Sequence, residues 1–270
     1  MKYIKDFLSI LSVLVKQRYL IFQLSKRDFQ NKYLASYIGL PWAFIQPGVT
    51  ILIMWFVFTR GFKVGSADAN IPFAPWLICG MVPWFFISET ITGTTNSLIE
   101  YSYLIKKIYF RASIIPLIKI FTALIIHGFF ILLMTGFAIS NEYTPNVYWI
   151  QIFYYLLATI ILLTGIGWLT SSMTVFVRDV GQFVNVTVQI LFWATPIFWQ
   201  YSKLEGNWRL IVYLNPFFYI INGYRETFFG KVWFWEHLRS TLYFWGLTAF
   251  IIILGALIFK RLRPHFADVL

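Results

Sequence analysis

Six segments of this chain are long and apolar enough to cross a lipid bilayer as helices, and they exclude most other folds. A spanning helix needs about 20 consecutive apolar residues, because the hydrocarbon core of a bilayer is about 30 Å thick. Hydrophobic residues make up 59% of the chain and charged residues only 12%, about half the share in a soluble domain. The sequence therefore predicts an all-α integral membrane protein with six transmembrane helices. They are residues 39–59, 73–95, 117–139, 147–176, 183–201 and 241–259.

Basic residues are distributed unevenly over the loops between these segments. Because the number of segments is even, both termini fall on one side, and that side carries twice as many lysines and arginines as the other. Basic residues concentrate in the cytoplasmic loops of membrane proteins. Both termini are therefore predicted to be cytoplasmic. The net charge of +11 is assigned to contact with membrane lipids, not to nucleic acid.

Residues 1–37 are predicted to lie along the membrane surface as interface helices. Apolar residues recur at helical spacing at positions 4, 7, 8, 11 and 15, with lysines off that stripe, which is typical of an amphipathic surface helix. No small-residue cleavage site follows the apolar run, so removal as a signal peptide is not expected. The chain thus divides into an N-terminal unit, residues 1–37, and a transmembrane domain, residues 38–270.

Two parts of the predicted transmembrane domain differ from plain spans. The segment 183–201 carries Asn185 and Gln189 about one helical turn apart, so this face is expected to meet protein or water instead of lipid. The stretch 210–230, LIVYLNPFFYIINGYRETFFG, is too apolar for a loop, yet Asn215 with Pro216 and Asn222 with Gly223 are expected to interrupt it. Such a piece lies in the interface or dips into the membrane and returns.

Motifs for nucleotide, metal and nucleophile chemistry are absent from the sequence. There is no G-x-x-x-x-G-K-[ST] loop for ATP and no G-x-S-x-G serine motif. The histidines His127, His237 and His265 are far apart, without metal-ligand spacing. Few charged residues lie inside the predicted spans. Glu89 is interpreted as reaching water or a neighbouring lysine, Lys119 lies near the inner start of the third span, and His127 is interpreted as a hydrogen-bonded packing residue.

Three stretches in order resemble the membrane subunit of type-2 ABC transporters, in the branch that exports lipid-linked polysaccharides such as O-antigen, capsule or teichoic acid. They are SKRDFQNKYLASYIGLPWAFIQP at 25–47, GMVPWFFISETITGTTNSLIEYSYLIKKIYFRASIIPL at 80–117 and VFVRDVGQFVNVTVQILFWATPIFW at 175–199. The order and spacing of the motifs carry the resemblance. One departure is that Arg111 directly follows Phe110, where the family commonly has an intervening proline.

The resemblance implies a pore formed by a homodimer in the bacterial inner membrane, driven by two copies of a separate ABC ATPase. On this basis the chain itself has no catalytic residue, binds no metal or cofactor, and leaves ATP and Mg to the ATPase. The resemblance also implies a re-entrant helical pair on the outer side, at about 203–237, with Arg225 and Glu226 near the outer headgroups. Asn215, Pro216 and Gly223 would supply its breaks.

Three groups of candidate functional residues follow from the resemblance. The ATPase-coupling loop would include Leu98, Ile99, Leu104, Lys106, Lys107, Phe110 and Arg111. The interface helix would include Arg27, Asp28 and Tyr33. The substrate path and exit would include Trp42, Trp84, Phe85, Trp193, Trp199, Asn215, Pro216 and Tyr219, because sugar rings stack on aromatic side chains, although aromatics also form ordinary interface belts.

Two other interpretations stay open. The first is an ABC exporter subunit for small lipophilic compounds or drugs, which differs only in its substrate. The second is a membrane-embedded enzyme that acts on lipid-linked sugars, which needs a pair of acidic or metal-binding groups near a membrane face. The acidic candidates Glu89, Glu100, Asp179 and Glu226 lie on different segments.

Overall fold

The computed structural model describes residues 17–34, 39–64, 66–68, 71–106 and 111–270, and these residues are predominantly helical. The α-helices are α1 Arg18–Leu34, α2 Trp42–Phe56, α3 Phe73–Glu100, α4 Ser102–Ile105, α5 Ile115–Ser140, α6 Ile152–Phe176, α7 Asp179–Ala194, α8 Asn207–Leu214, α9 Pro216–Arg225, α10 Leu238–Leu262 and α11 Phe266–Val269. Two π-helical turns, Val57–Gly61 and Glu226–Gly230, extend α2 and α9. A short antiparallel pair, β1 Ser66–Asp68 and β2 Ile71–Pro72, precedes α3.

Five helical stretches are long and apolar enough to cross a membrane. They are Trp42–Gly61, Phe73–Glu100, Ala112–Ser140, Val147–Phe176 and Leu238–Val269, at the positions of five of the six predicted spans. The predicted span 183–201 has the wrong boundaries, because α7 contains 16 residues and ends at Ala194. Proline lacks the amide hydrogen that a helix needs and disfavours helical geometry in the residue before it, so Pro196 ends the helix.

The centre of the bundle is α3, which packs against α5, α6, α7 and α9. Its side chains Leu77, Met81 and Ile87 are fully buried in the main hydrophobic cluster. Helices α6 and α10 pack closely through glycines: a Cβ atom added to Gly255 would lie 2.4 Å from the carbonyl oxygen of Gly165. Small residues let helix backbones approach one another where apolar burial alone does not drive helix association.

Helices α1 and α11 lie at the same end of the bundle. Ile21 of α1 packs on Ile114 and Ile118 at the start of α5. Phe266 of α11 belongs to a cluster with Ile115 and Leu98 at that same level. The described parts of the N- and C-terminal regions therefore lie at one end of the bundle.

The turn after α9 lies at the opposite end, beside the connection from α5 to α6. The rings of Tyr143 and Phe229 are 4.7 Å apart there, and the Gln151 side chain donates to the Val232 carbonyl oxygen at 2.9 Å.

Helices α2 and α7 are peripheral. Ala43 is the buried residue of α2, and Gly181 and Val184 are those of α7. Most of the apolar surface of both helices, including Leu52 and Phe183, faces outward. These two faces are unpartnered within the described part of the chain.

The division of the chain at residue 37 stays a prediction. Residues 35–38 lie outside the described part of the chain, and so do all positions of the amphipathic stripe predicted within residues 1–16.

Candidate functional site

Helix α1 is fixed to the bundle by a charged cluster around Lys119, which projects from α5. The Lys119 Nζ atom lies 2.8 Å from Asp28 Oδ1 and 2.7 Å from Glu100 Oε2. The Tyr101 hydroxyl donates to the same Asp28 oxygen at 2.5 Å. Burial, together with the hydrogen bond to the Asp28 carboxylate, raises the pKa of Tyr101, so its hydroxyl keeps the proton that it donates. The predicted interface residue Asp28 thus holds α1 in place.

The other residues predicted on the interface helix differ in their surroundings. Arg27 is exposed. Tyr33 lies in α1, but its side chain is outside the described part of the structure. The Lys32 Nζ atom lies 2.5 Å from Glu89 Oε1, which confirms the interpretation that Glu89 reaches a neighbouring lysine. The sequence showed Lys119 as a charged residue near the start of the third predicted span, but it did not reveal that Asp28 and Glu100 are its partners.

The predicted coupling loop lies at the same end of the bundle as α1 and α11. Leu98 belongs to α3 and is fully buried against Ala112 and Trp168, so it does not form part of an exposed contact. Ile99 and Leu104 are half-buried, whereas Lys106 and Arg111 are exposed. Lys107 and Phe110 lie outside the described residues.

The break predicted at Asn215 and Pro216 is confirmed. Helix α8 ends at Leu214 and α9 begins at Pro216, where a missing amide hydrogen costs nothing. The Asn215 Oδ1 atom accepts from the Phe217 amide at 2.9 Å and caps α9. Its Nδ2 atom donates to the Thr195 hydroxyl at 2.7 Å, which ties the start of α9 to the end of α7.

The second predicted break, at Asn222 and Gly223, is wrong because α9 runs without interruption to Arg225. Gly223 serves close packing instead. A Cβ atom added there would lie 2.1 Å from Cε1 of Tyr155 in α6. A glycine is needed at this position because Tyr155, which is distant in the sequence, packs against it in the folded chain, and not because the helix breaks there.

Arg225, which was predicted near the outer headgroups, is buried within the protein. It is 5% exposed, and its Nη1 and Nη2 atoms donate to the carbonyl oxygens of Pro196 and Ile197, each at 2.7 Å. The guanidinium also lies 3.5 Å from the centre of the Trp76 ring. The extended residues after α7 cannot satisfy their carbonyls within a helix, so Arg225 satisfies two of them.

Glu226, also predicted near the outer headgroups, is mostly buried by the protein. Its Oε1 atom accepts from Asn222 Nδ2 at 2.6 Å and lies 3.1 Å from His237 Nε2. Burial raises the pKa of Glu226, although the contacts with His237 and Asn222 oppose this. His127, the other polar residue singled out, packs on the Phe86 ring and bonds to the Tyr224 hydroxyl at 2.8 Å. The interpretation of His127 as a packing residue is confirmed.

The aromatic candidates for the substrate path are spread over different environments. Trp84 is buried against Phe192 and Phe217. Trp42 and Trp193 are exposed, and Phe85 and Trp199 are half-buried. The Tyr219 hydroxyl bonds to those of Tyr154 and Thr241. Pro216 and Tyr219 line one cavity of about 60 Å³, beside Glu226 and His237.

Helix α7 carries an exposed polar stripe on an otherwise apolar surface. It consists of Gln182, Asn185 and Gln189, spaced three and four residues apart on one helical face. Exposed apolar side chains flank it, among them Phe183 and Ile190. Sequence reasoning identified Asn185 and Gln189, and the structure adds Gln182.

Comparison with known proteins decides the family. The sequence model of the ABC-2 type transporter family matches residues 19–229. The chain belongs to this family.

Alignments with similar proteins extend over nearly the whole of this ABC-2 family member. Two O-antigen export system permease proteins RfbA from Klebsiella pneumoniae are 26% and 28% identical to it, over 252 and 253 residues. Each alignment spans 93% of this chain and 95% of the relative. An O-antigen export system permease protein RfbA from Myxococcus xanthus is 26% identical over 270 residues, which is 94% of this chain and 96% of the relative. The resemblance found in the sequence is confirmed.

Three of the four acidic candidates of this ABC-2 family member have basic partners. Glu89, Glu100 and Glu226 each contact a lysine or histidine. Within the described ranges, no group of three or more histidine, cysteine, aspartate or glutamate side chains could hold a metal ion. The relatives are likewise named as permeases.

Proposed function

We propose that this chain is the pore-forming permease of an ATP-driven exporter that moves lipid-linked polysaccharide across the bacterial inner membrane. It works as a homodimer together with two copies of a separate ABC ATPase, which bind the ATP and Mg. The names of the similar proteins support O-antigen as the class of cargo. Capsule and teichoic acid are the related cargoes that the resemblance of the sequence implies.

The polar stripe on α7 is the observation that carries the proposal. Side-chain amides that face hydrocarbon are costly, because lipid offers them no hydrogen-bonding partner. Gln182, Asn185 and Gln189 are nevertheless exposed on the isolated chain. A second copy or a water-filled path covers them in the working transporter.

The depth of α7 supports a sixth crossing. A Cβ atom at Gly181, near its start, would lie 3.2 Å from Asn96 Oδ1. A Cβ atom at Gly80 would lie 2.9 Å from the Ile197 carbonyl oxygen, just after the helix. Gly80 and Asn96 are separated by about 24 Å along α3, close to the roughly 30 Å of a hydrocarbon core. The extended residues after Ala194 complete the crossing, and α8 and α9 form the re-entrant pair.

The outward faces of α2 and α7 are the surfaces for the second copy. Closed two-fold pairs are the commonest soluble oligomers, and the same geometry encloses a path between two identical helices. Apolar residues such as Leu52 on α2 and Phe183 on α7 supply the contact area beside the polar stripe.

Thiol labelling in membranes tests the path. Cys79 is buried and is first replaced by alanine to give a clean background. Single cysteines at Gln182, Asn185 and Gln189 are then compared with cysteines at the flanking Phe183 and Ile190. A water-soluble maleimide reacts with the polar set much faster than with the apolar set. Equal rates at both sets contradict the proposed path.

Cargo and coupling are tested with purified permease and ATPase. Lipid-linked glycan stimulates ATP hydrolysis, whereas small lipophilic compounds do not; the reverse result favours the drug-exporter interpretation. Replacing the exposed Lys106 and Arg111 by glutamate lowers co-purification of the ATPase, because charge reversal at a contact rim opposes association. Normal co-purification contradicts their place in the coupling surface.

A further inference from the structure

We propose that a recess beneath α1 binds one anionic phospholipid, as a structural lipid distinct from the transported cargo. The recess has a volume of about 710 Å³ and is enclosed by α1, α5, α6 and α10. Pockets that enclose most of a small molecule have volumes of about 300–1,000 Å³. The inference concerns this recess alone and does not depend on which substrate is exported.

One face of α1 forms the mouth of the recess. Its lining residues are Arg18, Ile21, Phe22, Ser25 and Lys26, the spacing of a single helical stripe. The stripe is apolar in the middle and basic at both ends. Ser25 fixes this face in place, because its hydroxyl donates to the Ile118 carbonyl oxygen at 3.2 Å.

The walls below the mouth are apolar and match one leaflet in depth. On α5 the lining runs from Leu117 to Ile125, about 12 Å along the helix, and on α6 from Trp168 to Leu157, about 17 Å. Half of a hydrocarbon core is about 15 Å. The recess thus starts at the level of α1 and ends near mid-membrane, as an acyl chain does. Ile125 and Leu157 are about half exposed, so a lipid chain can enter from the bilayer.

The basic charge at the mouth of the recess favours an anionic lipid as its occupant over the chain's own residues 1–16. Arg18 and Lys26 are exposed, and within the part of the chain that the structure describes neither pairs with a carboxylate. A lipid phosphate complements them at the depth of the headgroups. The chain's own residues 1–16 carry Lys2, Lys5 and Lys16 against the single acidic residue Asp6, so this segment would bring net positive charge to the already basic mouth.

A second copy of the chain is also a poor occupant. The outward faces of α2 and α7, which carry most of the unpartnered surface, do not line the recess.

Lipid retention measured by native mass spectrometry tests the site. The full chain is reconstituted in nanodiscs of equal synthetic phosphatidylglycerol and phosphatidylcholine, without any polyprenyl carrier, and then released. Phosphatidylglycerol is retained in preference. Arg18→Gln with Lys26→Gln lowers its retention by about fivefold for each charge removed. The control, Arg27→Gln with Arg261→Gln, removes two exposed charges outside the recess and leaves retention unchanged.

A second variant tests the recess without changing charge. Ile125→Trp fills the lower part of the space and lowers phosphatidylglycerol retention while Arg18 and Lys26 remain. Equal retention of the two lipids by the wild-type chain overturns the proposal. An equal loss of phosphatidylglycerol in the Arg18→Gln, Lys26→Gln variant and in its control also overturns it. Retention that rises when residues 2–16 are deleted assigns the recess to that segment. Dimers that dissociate in Ile125→Trp, with lipid still bound, assign it to a second copy.

Discussion

Arg225 stacks its guanidinium on the face of Trp76, with Cζ 3.5 Å from the ring centre, while it donates to two backbone carbonyls after α7. One side chain therefore joins α9, α3 and the extended residues that follow α7. A desolvated contact of a cation with an aromatic ring contributes about 2 kcal/mol, and charge-assisted hydrogen bonds add to this. These contacts hold the outer end of the bundle in one arrangement.

Arg225→Lys is expected to destabilise the folded chain by about 2 kcal/mol, because lysine cannot donate in a planar fork to two carbonyls and stack at once. The apparent unfolding temperature in detergent measures the effect. Trp76→Leu in the Arg225→Lys background should cost less than it does in the wild-type chain. Arg209→Lys is the matched control, since Arg209 is an exposed arginine 5.8 Å from the Tyr201 ring centre. Equal decreases in unfolding temperature for Arg225→Lys and Arg209→Lys contradict the stabilising role of the Arg225 contacts.

Gly223→Ala is expected to destabilise the chain by about 1–3 kcal/mol or more, because the added methyl overlaps the Tyr155 ring. The same assay measures it. Gly246→Ala is the control, because a Cβ atom there meets nothing within 4 Å and alanine favours a helix by about 1 kcal/mol. Tyr155→Leu should restore part of the loss in the Gly223 variant. Failure of this rescue argues for another cause.

Lys119→Met is expected to loosen α1, because it leaves the carboxylate of Asp28 mostly buried without its cation. Removal of one partner of a buried ion pair lowers stability by about 3–5 kcal/mol. The Lys119–Asp28 pair is partly solvated, so we expect a loss at the lower end of this range. Hydrogen exchange should accelerate in residues 18–34 and stay unchanged in α6. Lys32→Met is the control, because the Lys32 side chain is 45% exposed and exposed pairs contribute about 0–1 kcal/mol. Equal hydrogen-exchange rates in residues 18–34 of the two variants contradict the role of Lys119 in holding α1 to the bundle.

Glu226 is expected to make stability depend on pH. Burial raises its pKa in the folded chain above the ordinary value of 4.5, so its stabilising contribution is fully present below pH 4.5. The contribution is lost as the pH rises through the folded-state pKa, where a buried carboxylate must ionise. The unfolding temperature of the wild type, relative to Glu226→Gln, should therefore fall as the pH rises from 4.5.

Substitution of the charged neighbours of Glu226 gives a second test of this pH dependence. The contact with His237 lowers the pKa of Glu226 and the nearby Glu236 raises it. His237→Asn should therefore move the fall to higher pH, and Glu236→Gln should move it to lower pH. A difference between wild type and Glu226→Gln that is independent of pH contradicts the assignment.

The sequence predicted the features that depend on neighbouring residues. Five spans lie where the apolar segments are, because hydropathy and length are sums over adjacent residues. The break at Asn215 and Pro216 was predictable, since a proline constrains its own backbone and that of the residue before it. Pro196 carried the same signal, and it explains why α7 ends before the predicted boundary.

The sequence by itself thus determined a helical membrane protein, its main spans and the family that its ordered motifs resemble. Tertiary structure decided the surroundings of Arg225, Gly223 and Leu98, and it formed the recess beneath α1. Arg225 is charged, yet it is buried, because Trp76 and Pro196, which are distant in the sequence, contact its guanidinium. Burial depends on which remote segments pack together, and the residues beside a position in the chain do not encode that.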